Sequence, residues 1–450
     1  MIQEARPWEY LKEQIRQGAD EEIKRYLDSL QSEEIVGSVS HLTDSERRAL
    51  LSLLTPEEAA DLMDDLPWVQ AVKIINELDS KEAAAILSEL ASDDQADFLN
   101  EMPEEKATAV MVELPGEEAE NLKQLIQYDA DTAGGLMITE FLAFDESHDV
   151  GSVVQDLREN AEKYVKYHLQ YIYVTYRGQF SGVLNMRSLL LSKPDVPLAD
   201  IVLRQALTVR DQTPLDDLIK FFDTYDFYGV PVVDDSLQLK GVVLRKDLRE
   251  AQTEQVNTEH LETQGIVGGE ELRTMPVLLR ARRRLSWLSV NILLNIVAAS
   301  VIAVYQDTLS AVIALAVFLP IISDMSGCSG NQAVAVSLRE LSLGVVRPFE
   351  MARVWMQEVS VGLINGFVLG GIVAAAAWFW QGNLYLGLVV GGALAINTLV
   401  AVSLGGVIPL FLKKLNVDPA LASGPILTTV TDMFGFFLAL TFASAVLDKL

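Results

Sequence analysis

The chain has 450 residues, half of them hydrophobic, and a formal net charge of −28. That length is enough for several domains. An acidic balance of this size argues against nucleic acid, whose phosphates need Lys and Arg, and fits cations as partners or simple solubility. The charge is uneven: from Arg284 onward there are eight acids and seven bases, so the first 283 residues carry 55 acids against 28 bases. The single cysteine, Cys328, excludes an internal disulfide and suits a reducing compartment for the soluble part. The opening "MIQEARPWEYLKEQIRQGAD" is polar and acidic, unlike a signal peptide.

From Leu42 the sequence divides every twelve residues, beginning LTDSERRALLSL, LTPEEAADLMDD and LPWVQAVKIINE, and ending LPGEEAENLKQL. Each piece opens on Leu or Met. A turn or N-cap residue usually follows, such as Thr43, Thr55, Pro67 or Asp79. Acids crowd the first turn, where the helix dipole favours them. Seven short helices stacked at a fixed period predict an α-helical superhelix. For most of these acids, helix-start chemistry is the favoured reading.

From about Asp129 the texture changes to strand–helix alternation. "YHLQYIYVTYRGQFSGVLNMRSLL" reads as strand, turn, strand, helix, and "FYGVPVVDDSLQLKGVVLRKDL" repeats the plan. "GQFSGVLNMRSLL" and "LQLKGVVLRKDLR" mark an internal duplication, and each copy resembles a CBS domain. CBS pairs often bind adenine nucleotides. In that case Asp247 matches the acid that commonly holds a ribose, with Arg187 of the first copy as a second contact; Ser188 stands where the first copy would carry the matching acid. A dimerising regulatory fold without ligand is the competing reading. "LREAQTEQVNTEHLETQ" (248–264) follows, helical and polar nearly all round, as a bridge between domains is.

The last part holds five stretches long and apolar enough to cross a bilayer: about 285–305, 309–338, 359–380, 384–412 and 421–447. The second is expected to be broken by Pro320 and a glycine-rich stretch. "RARRR" (280–284), Arg339, Arg347, Arg353, Lys413 and Lys414 fall in alternate connections, while "YQDTLS" and "WQGNLY" have no base. The positive-inside rule then places the acidic part in the cytoplasm and the C-terminus outside. Five helices are few for a closed pore, so a two-fold dimer is expected.

Polar residues within such spans are functional candidates. Asp324, Asn331, Gln332, Asn365, Asn397 and Asp432 stand out. Interhelical hydrogen bonds are the competing account of the amides, and a neutral, hydrogen-bonded acid that of Asp432. Thr428 and Asp432 share a helix face at i, i+4, which fits a hydrated-cation site.

An acidic helical repeat, a CBS pair and spans ending in an intramembrane acid resemble, in that order, the MgtE family of magnesium transporters or channels. The most specific pieces are "DADTAGGLM" (129–137), "SGCSGNQ" (326–332) and "VDPALASGPILTTVTD" (417–432). The resemblance implies a multidomain membrane protein: an acidic helical-repeat domain (1–128), tandem α/β CBS domains (129–250), a linker helix (251–275) and a five-helix transmembrane domain (276–450). It implies a homodimeric, Mg2+-selective pathway in the plasma membrane, lined by Asp432 and Thr428 and by Asn331 and Gln332. Cys328 stands where the family often has Asn. Cytoplasmic Mg2+ closes the pathway in this family. The matching acids are Glu58, Asp93, Asp94 and Asp97 in the repeat, and Asp216, Asp226, Asp247, Glu250, Glu254 and Glu259 in the CBS pair and linker. Lys246 and Arg249 intrude among them. ATP at the CBS pair is a further implied ligand.

The physics does not need the name. Facing acidic surfaces repel, and divalent cations relieve the repulsion, so a compact state is populated when the ion is bound. A proton- or sodium-coupled divalent cation exchanger is the alternative, since a membrane carboxylate also suits a proton relay. A receptor that senses adenylates without transport is a third class. There is no phosphate loop, no HExxH and no nucleophile–base arrangement among four histidines, which leaves an enzyme the least fitting reading.

Overall fold

The twelve-residue period of the sequence is a helix period. In the computed structural model, which describes residues 6–165, 167, 170–415 and 417–450, ten helices precede the first strand. They are α1 (Pro7–Gln17), α2 (Asp20–Leu27), α3 (Ser32–Ser40), α4 (Asp44–Leu53), α5 (Pro56–Asp65), α6 (Trp68–Glu77), α7 (Ser80–Leu87), α8 (Ser92–Glu101), α9 (Glu104–Glu113) and α10 (Gly116–Leu125). From α4 on, each starts twelve residues after the last. The three earlier helices lie outside the repeat. Thr43 and Thr55 form capping boxes with Glu46 and Glu58, and Asp79 accepts from the N–H groups of Lys81 and Glu82. The residue opening a repeat anchors it: Leu42, Leu66, Leu78, Leu90, Met102 and Leu114 are buried.

Two copies of one small sheet follow. The first is built from β1 (Leu142–Asp145), α11 (Val150–Glu159), α12 (Ala161–Tyr164), β2 (Tyr171–Tyr176), β3 (Gln179–Asn185), α13 (Met186–Leu191) and α14 (Leu198–Ile201). The second uses β4 (Val209–Arg210), α15 (Leu215–Thr224), β5 (Gly229–Val233) and β6 (Leu239–Leu244). In each, the first strand runs parallel to the second and the second antiparallel to the third, as a duplication requires. The strand expected from "YHLQYIY" begins at Tyr171; His168 and Leu169 lie outside the described residues.

"DADTAGGLM" is packing chemistry. The N–H groups of Ala133 and Gly134 donate to the carbonyls of Thr213 and Asp211, both at 2.8 Å, and the Leu215 N–H donates to Asp131 O at 2.9 Å. Gly135 lies so close to the Asp129 and Ala130 backbone that no Cβ fits. The segment thereby seals the helical repeat to the second sheet, and one buried core runs from Leu11 to Leu248.

α16 (Arg245–Thr263) leaves β6 directly, so the linker helix starts and ends earlier than 251–275. The fold divides into two compact units. The first comprises residues up to Gln255 with Leu272–Thr274; the second holds Val256–Glu271 and Met275–Leu450. In the second unit Arg283 donates to the Glu270 carbonyl at 2.8 Å, and Arg284 pairs with the Glu271 carboxylate. Gly265, with φ of +77°, sits against the Trp287 ring. The "RARRR" run thus fastens the linker as well as carrying charge.

The rest of that unit is α17 (Val277–Val304), α18 (Gln306–Ala311), α19 (Leu315–Ser342), α20 (Met351–Gln381), α21 (Leu384–Lys414) and α22 (Pro419–Ala445). α21 is the central helix and packs against α19, α20 and α22. Two expectations bear on these helices, the number of spans and the break in the second. Among the described residues, four helices are long and apolar enough to cross a membrane: those of α17, α20, α21 and α22. α19 matches them in length, but the polar run "SDMSGCSGNQ" lowers its hydropathy. Nor is α19 broken at its glycines. It is continuous through Pro320 and "SGCSGNQ", and the interruption lies earlier, between α18 and α19. The glycines serve close approach instead: Gly330 lies against the Ala401 backbone, and Gly405 against that of Gly330. Gly362, Gly366 and Gly370 likewise seat α20 on Leu399, Ala395 and Gly391 of α21.

Candidate functional site

Helix starts bring the acids of the first unit together. Glu57, Asp61 and Asp64 follow at helical spacing along α5, and Asp94, Asp97 and Glu101 along α8. With Asp93, Asp247, Glu250 and Glu254 they line a cleft of about 710 Å3. Asp93 is buried, Asp94, Asp97 and Asp247 are half-buried, and Asp64, Glu250 and Glu254 stand at the rim. Burial, and then the neighbouring Asp94 and Asp247, push the Asp93 carboxyl well above the usual range. Burial with Asp64, Asp247 and Asp97 nearby raises Asp94 to about 7. Burial with Glu254 and Glu101 raises Asp97 to about 6, and burial raises Asp247 to about 6. Asp247 Oδ2 is buried and has no hydrogen-bond partner among the described residues. Lys246 is the one basic residue among the described residues lining the cleft. Such a site holds more negative charge than its walls neutralise, and a proton or a cation relieves it. Among the described residues no three His, Cys, Asp or Glu side chains are arranged to hold a bare metal ion.

The cleft therefore gathers Asp93, Asp94, Asp97, Asp247, Glu250 and Glu254 of the sequence candidates. Others go elsewhere. Glu58 closes the Thr55 capping box and pairs with Lys24 at 2.9 Å. Asp226 pairs with Arg245 at 3.3 Å, Asp216 is exposed in the first turn of α15, and Glu259 belongs to the second unit. Arg249 lines a neighbouring cavity rather than the cleft. Sequence reasoning missed Asp61 and Asp64, which the stripe on α5 would have revealed, and Glu140, which it would not. Glu140 accepts from the Ser92 hydroxyl at 2.9 Å, and Ser92 Oγ accepts from the Thr139 N–H at 2.8 Å. This joint ties the start of α8 to the segment entering the CBS pair.

Two cavities of about 610 and 480 Å3 flank the CBS sheets and share Tyr171, Tyr173 and Phe227 as walls. Arg187 is exposed on α13 and is not among their lining residues, while Asp247 lines the acidic cleft.

In the second unit Asp432 of α22 is half-buried and accepts a hydrogen bond from the Ser323 hydroxyl of α19. Thr428, one turn earlier, donates to the Pro425 carbonyl of its own helix at 3.2 Å. Asn397 is fully buried and donates to Ser326 Oγ and to the Thr431 carbonyl, joining three helices. Asn365 donates to Ser329 Oγ at 3.4 Å. These two amides are interhelical ties. Asn331 and Gln332 differ: with Asp324 and Cys328 they lie exposed on one stripe of α19, at i, i+4, i+7 and i+8. A polar stripe on the outside of an apolar bundle suits water or another protein surface better than lipid.

Fold and sites define a polytopic membrane protein with a soluble acidic module built from a helical repeat and a CBS pair. Residues 319–442 match the family model for MgtE, a divalent cation transporter; residues 15–131 match the MgtE intracellular N domain and 198–254 the CBS domain. The chain is 32% identical over 328 residues to the magnesium transporter MgtE of Enterococcus faecalis (strain ATCC 700802 / V583), covering 73% of this chain and 72% of the relative. It is 29% identical to the magnesium transporter MgtE of Bacillus subtilis (strain 168), covering 74% and 73%. A crystal structure of the cytosolic domain of the Mg2+ channel MgtE in complex with ATP aligns at 27% identity, over 54% of this chain and 98% of that one, with a TM-score of 0.49. The chain belongs to the MgtE family.

Proposed function

We propose that this protein carries Mg2+ across the membrane along a path between two copies of the chain, and that Mg2+ bound in the acidic cleft holds the path closed. The observation that carries the transport reading is Asp432, a carboxylate held by Ser323 inside a helix long and apolar enough to span the bilayer. The relatives' names as magnesium transporters support the ion. The exposed stripe of Asp324, Asn331 and Gln332 supports a second copy across the path. Mg2+ holds its water and wants octahedral oxygen ligands, so it enters hydrated and its waters meet Asp432. Thr428, with its hydroxyl turned to its own helix, offers a hydroxyl oxygen to those waters.

The same hydration suits the cleft, where carboxylates crowd and, among the described residues, form no close cage and leave Asp247 Oδ2 without a hydrogen-bond partner. By the positive-inside rule the acidic unit is cytoplasmic and the C-terminus outside. The aromatic walls of the CBS cavities suit the face of a purine, which makes ATP the proposed ligand there.

The test is Mg2+ flux into proteoliposomes. Asp432→Ala is expected to abolish uptake with the oligomeric state unchanged; uptake at the wild-type rate would remove Asp432 from the path. Uptake that follows a pH or Na+ gradient rather than the Mg2+ gradient would favour the coupled exchanger instead.

A further inference from the structure

Lys246 occupies an unusual place. It lies in the first turn of α16, where the helix dipole disfavours a cation. Its i, i+4 partner Glu250 is C-terminal to it, at 3.8 Å, the weaker order for a helical ion pair. Local helix energetics therefore give no reason for a lysine there. The cleft does. Lys246 lines the cleft together with Glu250 and Asp247 of its own helix, Asp64 of α5 and Asp94 of α8. Partial burial lowers its pKa, and these four acids outweigh that and hold it above the ordinary lysine value. Arg249, one turn along, lines the neighbouring cavity, so the cleft receives one tethered positive charge from the two bases that the sequence places among the acids.

We infer that Lys246 is a built-in counter-cation of the acidic cleft: it keeps α5, α8 and α16 partly together when no divalent ion is bound, and so limits how far the cleft opens at low Mg2+. The inference rests on the cleft reading above and deepens it. The lysine carries one charge on a flexible stem, whereas Mg2+ carries two and organises oxygen ligands. It therefore softens the repulsion among the carboxylates without replacing the ion. A chain lacking this charge has a looser cleft without Mg2+ and a larger response to Mg2+.

Hydrogen exchange of peptides spanning 56–65 and 92–101, measured on the full-length protein in detergent, tests this. Lys246→Met is expected to speed exchange in EDTA about three- to tenfold, the size of one unit charge acting on several carboxylates through partly wet protein. Lys246→Arg, which keeps the charge, is expected to stay near wild type, as is Lys220→Met, which removes a charge of α15 that lines neither the cleft nor the two cavities and pairs with Asp217. At saturating Mg2+ all four proteins are expected to converge, which also shows that the variants fold. Wild-type exchange in EDTA for Lys246→Met, or exchange as fast for Lys246→Arg as for Lys246→Met, would overturn the assignment. If wild-type exchange ignores Mg2+ altogether, the cation reading of the cleft falls, while the EDTA comparison still decides the role of the lysine.

Discussion

Asp432 and Ser323 form the tie on which the transport reading turns. Ser323→Ala frees the carboxylate from one donor but leaves its charge in place. Mg2+ flux is expected to drop severalfold rather than vanish, in contrast to Asp432→Ala; complete loss would mean that the serine itself meets the ion. A second tie lies in the soluble unit. Ser92 bridges the Glu140 carboxylate and the Thr139 N–H at the start of α8, whose N-cap, Ala91, has no side-chain acceptor. A hydrogen bond to a charged group contributes about 1.5–3 kcal/mol. Ser92→Ala is expected to raise hydrogen exchange in the first turn of α8 roughly tenfold or more, with Mg2+ present as well as absent. No change at saturating Mg2+ would place the joint outside the forces that hold the cleft shut.

Among the elements, α19 and α20 show how glycine works in this unit. Gly366 touches the Ala395 backbone, and a Cβ there would fall inside contact distance of the Ala395 carbonyl. Overpacking of a tight helix crossing costs about 1–3 kcal/mol, so Gly366→Leu is expected to lower the thermal stability of the detergent-solubilised protein. Gly371, whose added Cβ would meet nothing within 4 Å among the described residues, is the control: Gly371→Leu is expected to leave it unchanged. Equal loss in both variants would point to helix propensity or lipid contact instead of the α20–α21 crossing. In the repeat, Thr55→Ala removes a capping box at about 1 kcal/mol. It also loosens Glu58, which is bound to cap and to Lys24, so its effect is expected on stability and not on the Mg2+ response. A shifted Mg2+ midpoint for flux inhibition would bring Glu58 back among the regulatory ligands.

For the whole molecule, the raised carboxyl pKa values set a pH dependence. Asp94 at about 7 and Asp97 and Asp247 at about 6 bind protons in the folded unit that they would release when unfolded, between the ordinary carboxylate range and about pH 7. Folded groups with raised acid pKa values bind more protons than the unfolded chain, so stability falls as pH rises through that window. In EDTA the full-length protein is expected to resist protease at the linker better at pH 5.5 than at pH 8, and Mg2+ is expected to restore resistance at pH 8. Greater resistance at pH 8 without Mg2+ would reverse the sign and exclude repulsion among these acids as the force that opens the cleft.

Much of this was legible in the order of residues, for reasons of period and solvation. Helix starts from Asp44 to Gly116 recur every twelve residues because each repeat carries its own cap and anchor. The duplicated strand plan predicted two sheets of one topology, and long apolar runs mark spans because a bilayer leaves no other way to satisfy a backbone. Asp432 was conspicuous for the same reason. Tertiary structure decided what depends on neighbours distant in sequence. It made the glycines of α19 a crossing instead of a break, because Ala401 and Gly405 come within reach of Gly330. It sent Glu58 to a cap and Lys24, although its sequence context matches that of the cleft acids. It brought Glu140 and Lys246 to the carboxylates of α5 and α8, a juxtaposition made by folding and invisible to local spacing, since electrostatic energy depends on distance in space and not along the chain.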